Sequence, residues 1–313
     1  MQSVLVTGGA GFIGSHLCDF LIGKGYKVTC LDNLLTGSKK NIEHLLINPN
    51  FDFIEADVTK PISSSLLDIN YIFHLASPAS PIDYQNYPEE TLLTNSTGTL
   101  NILELAKKSG AKVLITSTSE VYGDPLEHPQ RETYFGNVNT FGPRSCYDES
   151  KRYAEAATYV YLHKYNIDAR VVRIFNTYGP RMKKDDGRVV SNFVANSLTG
   201  DIISIDGDGS QTRSFCFVSD MIEGIYRAMF TDGTKGEIFN LGNPDEYSVK
   251  ELADKIIKLV GSKSAVEYSG TFRKDDPMRR QPDITKAKKV LGWEPKVKLD
   301  EGLQKTIGYY KGI

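Results

Sequence analysis

The stretch from Val4 to Leu17, VLVTGGAGFIGSHL, decides the fold. An apolar run breaks at a glycine pair and passes through Gly8, Gly11 and Gly14 into a segment of helical spacing. Glycines so placed let the backbone turn tightly and bring the first N–H groups of a helix onto an anion. A pyrophosphate bound in this way needs no charged side chain. A glycine triplet alone is weak evidence; the strand before it and the helix after it give it force.

Five more apolar runs follow. SVLVT (3–7), KVTCL (27–31), FDFIEA (51–56), YIFHLA (71–76), KVLITS (112–117) and ARVVRIF (169–175) read as buried strands. Segments 14–25, 90–110 and 147–166 read as helices between them, the first two stopped at Gly25 and Gly110. The alternation predicts an α/β fold, a doubly wound parallel Rossmann sheet over residues 1–175. After about residue 176 the pattern shortens, which predicts a smaller mixed α/β substrate-binding lobe over 176–313, with about 214–241 returning to the sheet. With no linker or repeat between them, the two lobes should pack closely.

Asp32 ends the second run, about 18 residues after Gly14. A carboxylate there accepts hydrogen bonds from a ribose diol and repels a 2′-phosphate, so the cofactor expected is NAD and not NADP. Asp57, after the third run, is placed to reach the adenine edge. The alternative for Asp32 is a plain turn residue.

The bulk numbers narrow the rest. The chain has 313 residues, 40% of them apolar and 24% charged, and a formal charge of −2. That balance offers no field for nucleic acid or an anionic membrane surface, and no apolar run approaches the roughly 20 residues of a membrane span. The first residues enter a strand at once, from which no signal peptide is expected. Cys18, Cys30, Cys146 and Cys216 show no paired spacing, so neither zinc nor a disulfide framework is expected, and the cytoplasm fits. His16, His74 and His163 are read as structural, with no metal site. The arginines are more telling: residues 1–130 contain none, and all twelve lie between Arg131 and Arg280. The later half would then handle anions with side chains.

Tyr147 and Lys151 stand four apart, on one face of a helix. With 17 tyrosines in the chain, such a pair arises by chance. Position gives it meaning, because the pair opens the helix that follows the strand ending at Ser117 and Thr118. A lysine ammonium should lower the phenol's pKa toward neutrality, making a base for a hydroxyl proton, with Thr118 orienting that hydroxyl. Glu120, in STSEVYGDP (117–125), is the lone carboxylate where the strand opens into a loop. A solvated loop acid is the plain alternative.

Together these residues resemble the extended short-chain dehydrogenases/reductases that act on nucleotide sugars. HLASPASP (74–81), TSTSEVYGDP (116–125), CYDESKR (146–152), IFNTYGPRM (174–182), DGRVVSNF (186–193), GDGSQTRSF (207–215), RRQPDI (279–284) and LGWEP (291–295) are similar to the UDP-glucuronate decarboxylase subfamily. The resemblance implies a lyase with tightly bound, recycled NAD. C4 is oxidised, carbon dioxide leaves, C5 is protonated, and the ketone is reduced again to give UDP-xylose. It implies Phe12, Ile13, Asn33, Val58, Leu75 and Ala76 as further cofactor residues. Pro81, Asn176, Arg188, Val190, Arg213 and Arg280 are the substrate residues, with Arg188 and Arg213 at the diphosphate and Arg181 a weaker choice. Glu120 and Arg280 would position the sugar carboxylate or supply the C5 proton. Dehydratases of this branch resemble TDEVYG; here Ser119 replaces the Asp that protonates the leaving hydroxyl. The 4-epimerases usually carry a small or hydroxyl residue where this chain has Glu120. The readings left open are the same reaction on the 2-acetamido analogue, a 4-epimerase or 4,6-dehydratase, and an NAD-binding sensor without catalysis. The subfamily also implies a homodimer.

Overall fold

A computed structural model describes residues 1–62, 66–272 and 275–312. One of the twelve arginines, Arg273, lies outside the described residues. The six apolar runs form six strands: β1 (Ser3–Thr7), β2 (Lys27–Asp32), β3 (Phe51–Glu55), β4 (Tyr71–His74), β5 (Lys112–Thr118) and β6 (Ala169–Ile174). The chain then forms β7 (Thr177–Tyr178), β8 (Ile203–Ile205), β9 (Thr212–Ser214) and β10 (Cys216–Phe217), before β11 (Ile238–Leu241) returns beside β6. The sheet has the order β11-β6-β5-β4-β1-β2-β3, all parallel. Such strands are covered on both faces and so read as near-continuous apolar runs. Val4, Leu5 and Val6 have no exposure at all, and each contributes roughly 1.5–3 kcal/mol of burial. Strand order reverses between β1 and β4, the crevice where ligands of such sheets bind.

Helix α1 (Phe12–Gly23) follows β1 directly. The single helix expected over 90–110 is instead three pieces, preceded by the short α2 (Pro81–Asn86). Helix α3 (Pro88–Leu93) passes into a π-helical turn, Thr94–Gly98, and then α4 (Thr99–Ser109). The apolar spacing runs through all three, so periodicity could not show the wide turn. Within it Asn95 is buried and donates to Ser150 Oγ at 3.0 Å, tying the turn to α5 (Ser145–Tyr165). π turns of this kind cluster at functional sites.

The later part of the chain adds α6 (Val189–Thr199), α7 (Val218–Phe230), α8 (Val249–Val260) and α9 (Leu299–Lys311). Strand β12 (Glu246–Ser248) pairs antiparallel with β9, and β13 (Val266–Tyr268) pairs with β8. Ser248 and Glu251 close α8 with a reciprocal capping box. One apolar cluster joins Val4, Val6 and Leu17 of the sheet region to Val190, Leu252 and Leu303 of the later helices. The LGWEP segment is a structural anchor. Trp293 is buried and donates to Asp220 O at 2.9 Å, while Asp220 accepts from Lys296 N and Val297 N.

Candidate active site

A cleft of about 480 Å³ opens at the carboxyl ends of the strands. At its β1 end the walls are backbone. Gly8 has φ +71°, and a Cβ there would sit 2.7 Å from Ala76 N, where β4 ends. A Cβ on Gly14 would sit 2.1 Å from Gly8 O, so α1 can pack this close only without a side chain. Gly11 caps α1 without a side-chain hydrogen bond, and no acidic residue occupies the first turn. The leading N–H groups of α1 therefore face the cleft as an anion site.

Asp32 is buried at the end of β2. Its Oδ2 accepts from Ala10 N at 3.0 Å and its Oδ1 from Leu34 N at 2.8 Å. Burial raises its pKa, against the pull of those two donors. The residue is thus a turn-builder as well as a cleft-lining acid; the two readings coexist. Phe12, Ile13, Asn33, Val58, Leu75 and Ala76 line the same end. Asp57 does not line the cleft, although its neighbours Ala56 and Val58 do. Its Oδ1 accepts from Thr59 N at 2.8 Å, a turn bond two residues on.

At the other end β5 runs out at Thr118 into a 3₁₀ turn, Ser119–Tyr122. The Thr118 hydroxyl caps that turn by accepting from Glu120 N at 3.2 Å. This swings the Glu120 side chain inward, where it is only 9% exposed. Arg280 grips both carboxylate oxygens, Nη1 to Oε1 at 2.6 Å and Nη2 to Oε2 at 2.7 Å. Arg144 adds a third contact, Nη2 to Oε2 at 2.7 Å. Burial alone would raise the acid's pKa; the two guanidinium groups outweigh it and hold Glu120 down at about 2. The solvated-acid alternative does not fit this environment. The Arg280 segment is itself fixed by Gln130, whose Oε1 accepts from Gln281 N and whose N–H donates to Gln281 O, both at 2.9 Å.

Tyr147 lies in the first turn of α5 and Lys151 one turn later. Lys151 Nζ donates to Thr116 O at 2.9 Å and stands 5.9 Å from the Tyr147 ring centre. The expected lowering of the phenol is not found. Burial pushes Tyr147 up to about 12, the Thr118 hydroxyl opposes this, and the Glu120 charge adds to it. Burial also pushes Lys151 down to about 7, so its ammonium is itself held weakly. Spacing placed the pair correctly, but desolvation sets the sign of the shift. Tyr84 of α2 stacks on Tyr147, ring centres 5.0 Å apart and planes 7° from parallel.

The arginines of the cleft are paired, Arg213 buried and Arg188 and Arg181 half-buried. Arg213 donates to Asp276 Oδ2 at 2.7 Å, and Asp276 Oδ1 also meets Arg144 Nη1 at 3.3 Å. Arg188, at the start of α6, holds Asp186 through Nε at 2.6 Å and Nη2 at 3.1 Å. Arg181 pairs with Asp19 at 2.7 Å. Asn176, Pro81 and Val190 line the cleft with them. Every other residue picked from the sequence as a site residue lines this cleft; Asp57 alone does not. Arg144, Asp276 and Tyr84 were missed. Arg144 could have been suspected from its place three residues before Tyr147 in an arginine-asymmetric chain. Asp276 and Tyr84 carry no local signal.

His74 is buried between Thr7 Oγ1 (2.7 Å) and Thr99 Oγ1 (3.3 Å), and burial lowers it to about 3. His16 Nε2 meets Pro180 O at 2.9 Å. Among the described residues no cluster of three His, Cys, Asp or Glu could hold a metal ion, and no helix is long and apolar enough to cross a membrane.

A family profile described as GDP-mannose 4,6 dehydratase matches residues 5–306. UDP-glucuronic acid decarboxylase 4 of Arabidopsis thaliana is 55% identical over 300 residues, 96% of this chain and 66% of that protein. UDP-glucuronic acid decarboxylase 1 of Danio rerio is 51% identical over 309 residues, 99% of this chain and 72% of that protein. The chain thus spans about two thirds of the length of these relatives. Among solved structures, UDP-glucuronic acid 4-epimerase from Bacillus cereus, in complex with UDP-glucuronic acid and NAD, superposes with a TM-score of 0.91. It is 30% identical and covers 99% of both chains.

Proposed function

The chain belongs to the extended short-chain dehydrogenase/reductase family, on its UDP-glucuronic acid decarboxylase branch, and from that membership we propose that it converts UDP-glucuronate to UDP-xylose with recycled NAD. The observation that carries this reading is the Glu120–Arg280 pair at the end of β5, beside Tyr147. Ser119 stands where a dehydratase would need an acid, so water is not expelled.

The open glycine turn, the uncapped start of α1 and Asp32 fit a dinucleotide, and NAD bound there would accept the C4 hydride and later return it. Tyr147, raised to about 12 by burial, takes the proton of the C4 hydroxyl only as the phenolate, which the positive charge of a bound oxidised dinucleotide would favour; Thr118 orients that hydroxyl, and Lys151 holds the helix turn against β5. With C4 a ketone, the C6 carboxylate is β to a carbonyl. The C5–C6 bond then breaks, carbon dioxide leaves, and the electron pair flows into a C4–C5 enolate. A proton from solvent is added at C5, and Tyr147 returns its proton to the C4 oxygen. Glu120, held near 2 by two guanidinium groups, is a carboxylate at neutral pH. We take it as the residue that orients the group or water that protonates C5, with Arg280 facing the sugar carboxylate. Arg213 and Arg188 serve the diphosphate, since a guanidinium fork matches phosphate geometry.

We take residues 1–175, with about 214–241, as the NAD-binding unit and the remainder from 176 as the nucleotide-sugar lobe. The four cysteines are free, which suits a reducing compartment, and we place the enzyme in the cytoplasm. Helices α3 and α5 expose Leu92, Leu93, Tyr153, Tyr159 and Val160, and we assign that surface to a second copy of the chain.

The test is direct. The protein is incubated with UDP-glucuronate and with its 2-acetamido analogue, and products are followed by mass. Loss of carbon dioxide from UDP-glucuronate supports the reading. Loss from the analogue alone moves the substrate, and an unchanged mass or loss of water points to an epimerase or dehydratase.

A further inference from the structure

Glu120 is held by two arginines of different origin, and only one has a place in the chemistry above. Arg280 arrives from a distant segment and engages both oxygens. Arg144 stands at the N-cap of α5, three residues before Tyr147, and its backbone oxygen accepts from Tyr147 N at 3.0 Å. The same residue therefore touches the backbone of the tyrosine and the side chain of the carboxylate. Its guanidinium lies over Tyr84, 5.8 Å from the ring centre, and Tyr84 stacks on Tyr147. Arg144 is 7% exposed, and among the described residues its Nε has no hydrogen-bond partner. A guanidinium buried with a donor unmet is costly unless its other contacts are strong. Here they are Glu120 at 2.7 Å and Asp276 at 3.3 Å.

We propose that Arg144 is a positioning residue for the C5 half of the reaction, fixing the Glu120 carboxylate relative to Tyr147. The inference rests on the decarboxylase reading. Arg280 alone can balance the charge of Glu120, but it belongs to a segment more than a hundred residues away. Arg144 ties the carboxylate to the helix that carries the tyrosine, so that the group acting at C4 and the group acting beside C5 move as one unit. The groups facing Glu120 are Arg144, Tyr147 and Asp148 from α5, Tyr84 from α2, Arg213 from β9, and Asp276 and Arg280 from the 275–283 segment. Arg144 is the member of this set that contacts Glu120, Asp276 and the Tyr84 ring together.

The experiment compares holoenzyme and R144M in a single turnover of UDP-glucuronate, following NADH absorbance and UDP-xylose together. Oxidation at C4 should survive in large part, while the later steps slow by about tenfold or more, so that NADH and the 4-keto species build up. The acid limb of the pH–rate profile should move to higher pH, because one cation fewer holds Glu120 ionised. Equal slowing of both phases, with the pH profile unmoved, would mean that Arg144 merely supports the fold and would overturn the inference. If R144M does not fold, R144K carries the test. An ammonium reaches one carboxylate but cannot fork between Glu120 and Asp276, so the build-up should persist by a smaller factor, and its absence overturns the inference. A wild-type enzyme that forms no UDP-xylose would remove the functional reading and this inference with it. A wild type that does, beside a variant with unchanged partition, would remove the inference alone.

Discussion

At the β1–α1 end of the cleft the groups offered to an anion are backbone N–H groups around Gly8, Gly11 and Gly14, whereas at the β5–α5 end they are the side chains of Arg144, Arg213 and Arg280. Backbone donors carry no net charge, so the first end can wait for its ligand without a counter-ion. Buried guanidinium groups cannot. Each is already paired, with Glu120 or Asp276, because an unpaired buried charge costs several kcal/mol. Binding at the glycine end is thus addition to a formed cradle, while binding at the arginine end is exchange of one anion for another. The absence of arginine from residues 1–130 is the trace of that division in the sequence.

The glycine end should be intolerant of bulk. Gly14→Ala places a methyl 2.1 Å from Gly8 O and 2.8 Å from Gly9 Cα, both of them backbone. The expected result is protein without bound dinucleotide, without turnover, and less stable by about 3 kcal/mol or more. Cofactor content after denaturation and a melting curve check it; wild-type occupancy would show that the cradle is softer than its geometry.

Next in size is Glu120→Gln at the opposite end. The two guanidinium groups lose their counter-charge, at a cost on the order of 3–5 kcal/mol in stability. UDP-xylose formation should fall by roughly two to four orders of magnitude, with NADH or a 4-keto product accumulating in one turnover. A solvent deuterium label should still enter C5 of whatever product forms. Wild-type rates in this variant would make the carboxylate a structural partner only.

Arg213→Ala tests the exchange directly. UDP itself should bind more weakly by roughly 1.5–3 kcal/mol, the scale of a charge-assisted bond. Asp276→Asn, which frees the same guanidinium, should strengthen UDP binding. If UDP affinity holds in Arg213→Ala while turnover falls, Arg213 serves the sugar carboxylate, as its place in the Glu120 cluster would allow.

The two ends also differed in how well they could be read from sequence. Glycine spacing, strand runs and Asp32 are local signals, and they led to the parallel doubly wound sheet and the cradle. YxxxK and Glu120 were found by their position after β5. Arg144, Asp276 and Tyr84 were not, because their partners lie as far as 132 residues away, as for Arg144 and Asp276, and ion pairing has no period. The sign of the Tyr147 shift was missed for a related reason: a lysine four residues on is visible in sequence, but the burial that outweighs it is a property of the packed site. Asp57 follows β3 as expected, but its Oδ1 accepts from Thr59 N, a local turn bond that the sequence does not announce.

The last expected effect is one of pH and concerns the charge count of the arginine end. Asp148 is 6% exposed, meets Arg144 Nε at only 3.8 Å, and has an Oδ1 without a hydrogen-bond partner among the described residues. Burial, with the nearby Glu120 charge, raises its carboxyl from 3.8 to about 8, against the pull of Arg144. Between those values the folded protein keeps a proton that the unfolded chain has lost. Its contribution to stability therefore falls as pH rises from about 4 to about 8 and is level beyond. Asp148→Asn removes that slope. Relative to wild type, the variant should gain up to about 1.4 kcal/mol per pH unit between pH 5 and pH 8, read by denaturant unfolding at each pH. A neutral Asp148 leaves three guanidinium groups facing two carboxylates, Glu120 and Asp276, and so one positive charge for the uronate of the substrate. A stability difference that stays flat across that range would mean that Asp148 is ionised throughout. The cluster would then be balanced while empty, and the substrate carboxylate would have to displace an acid to enter.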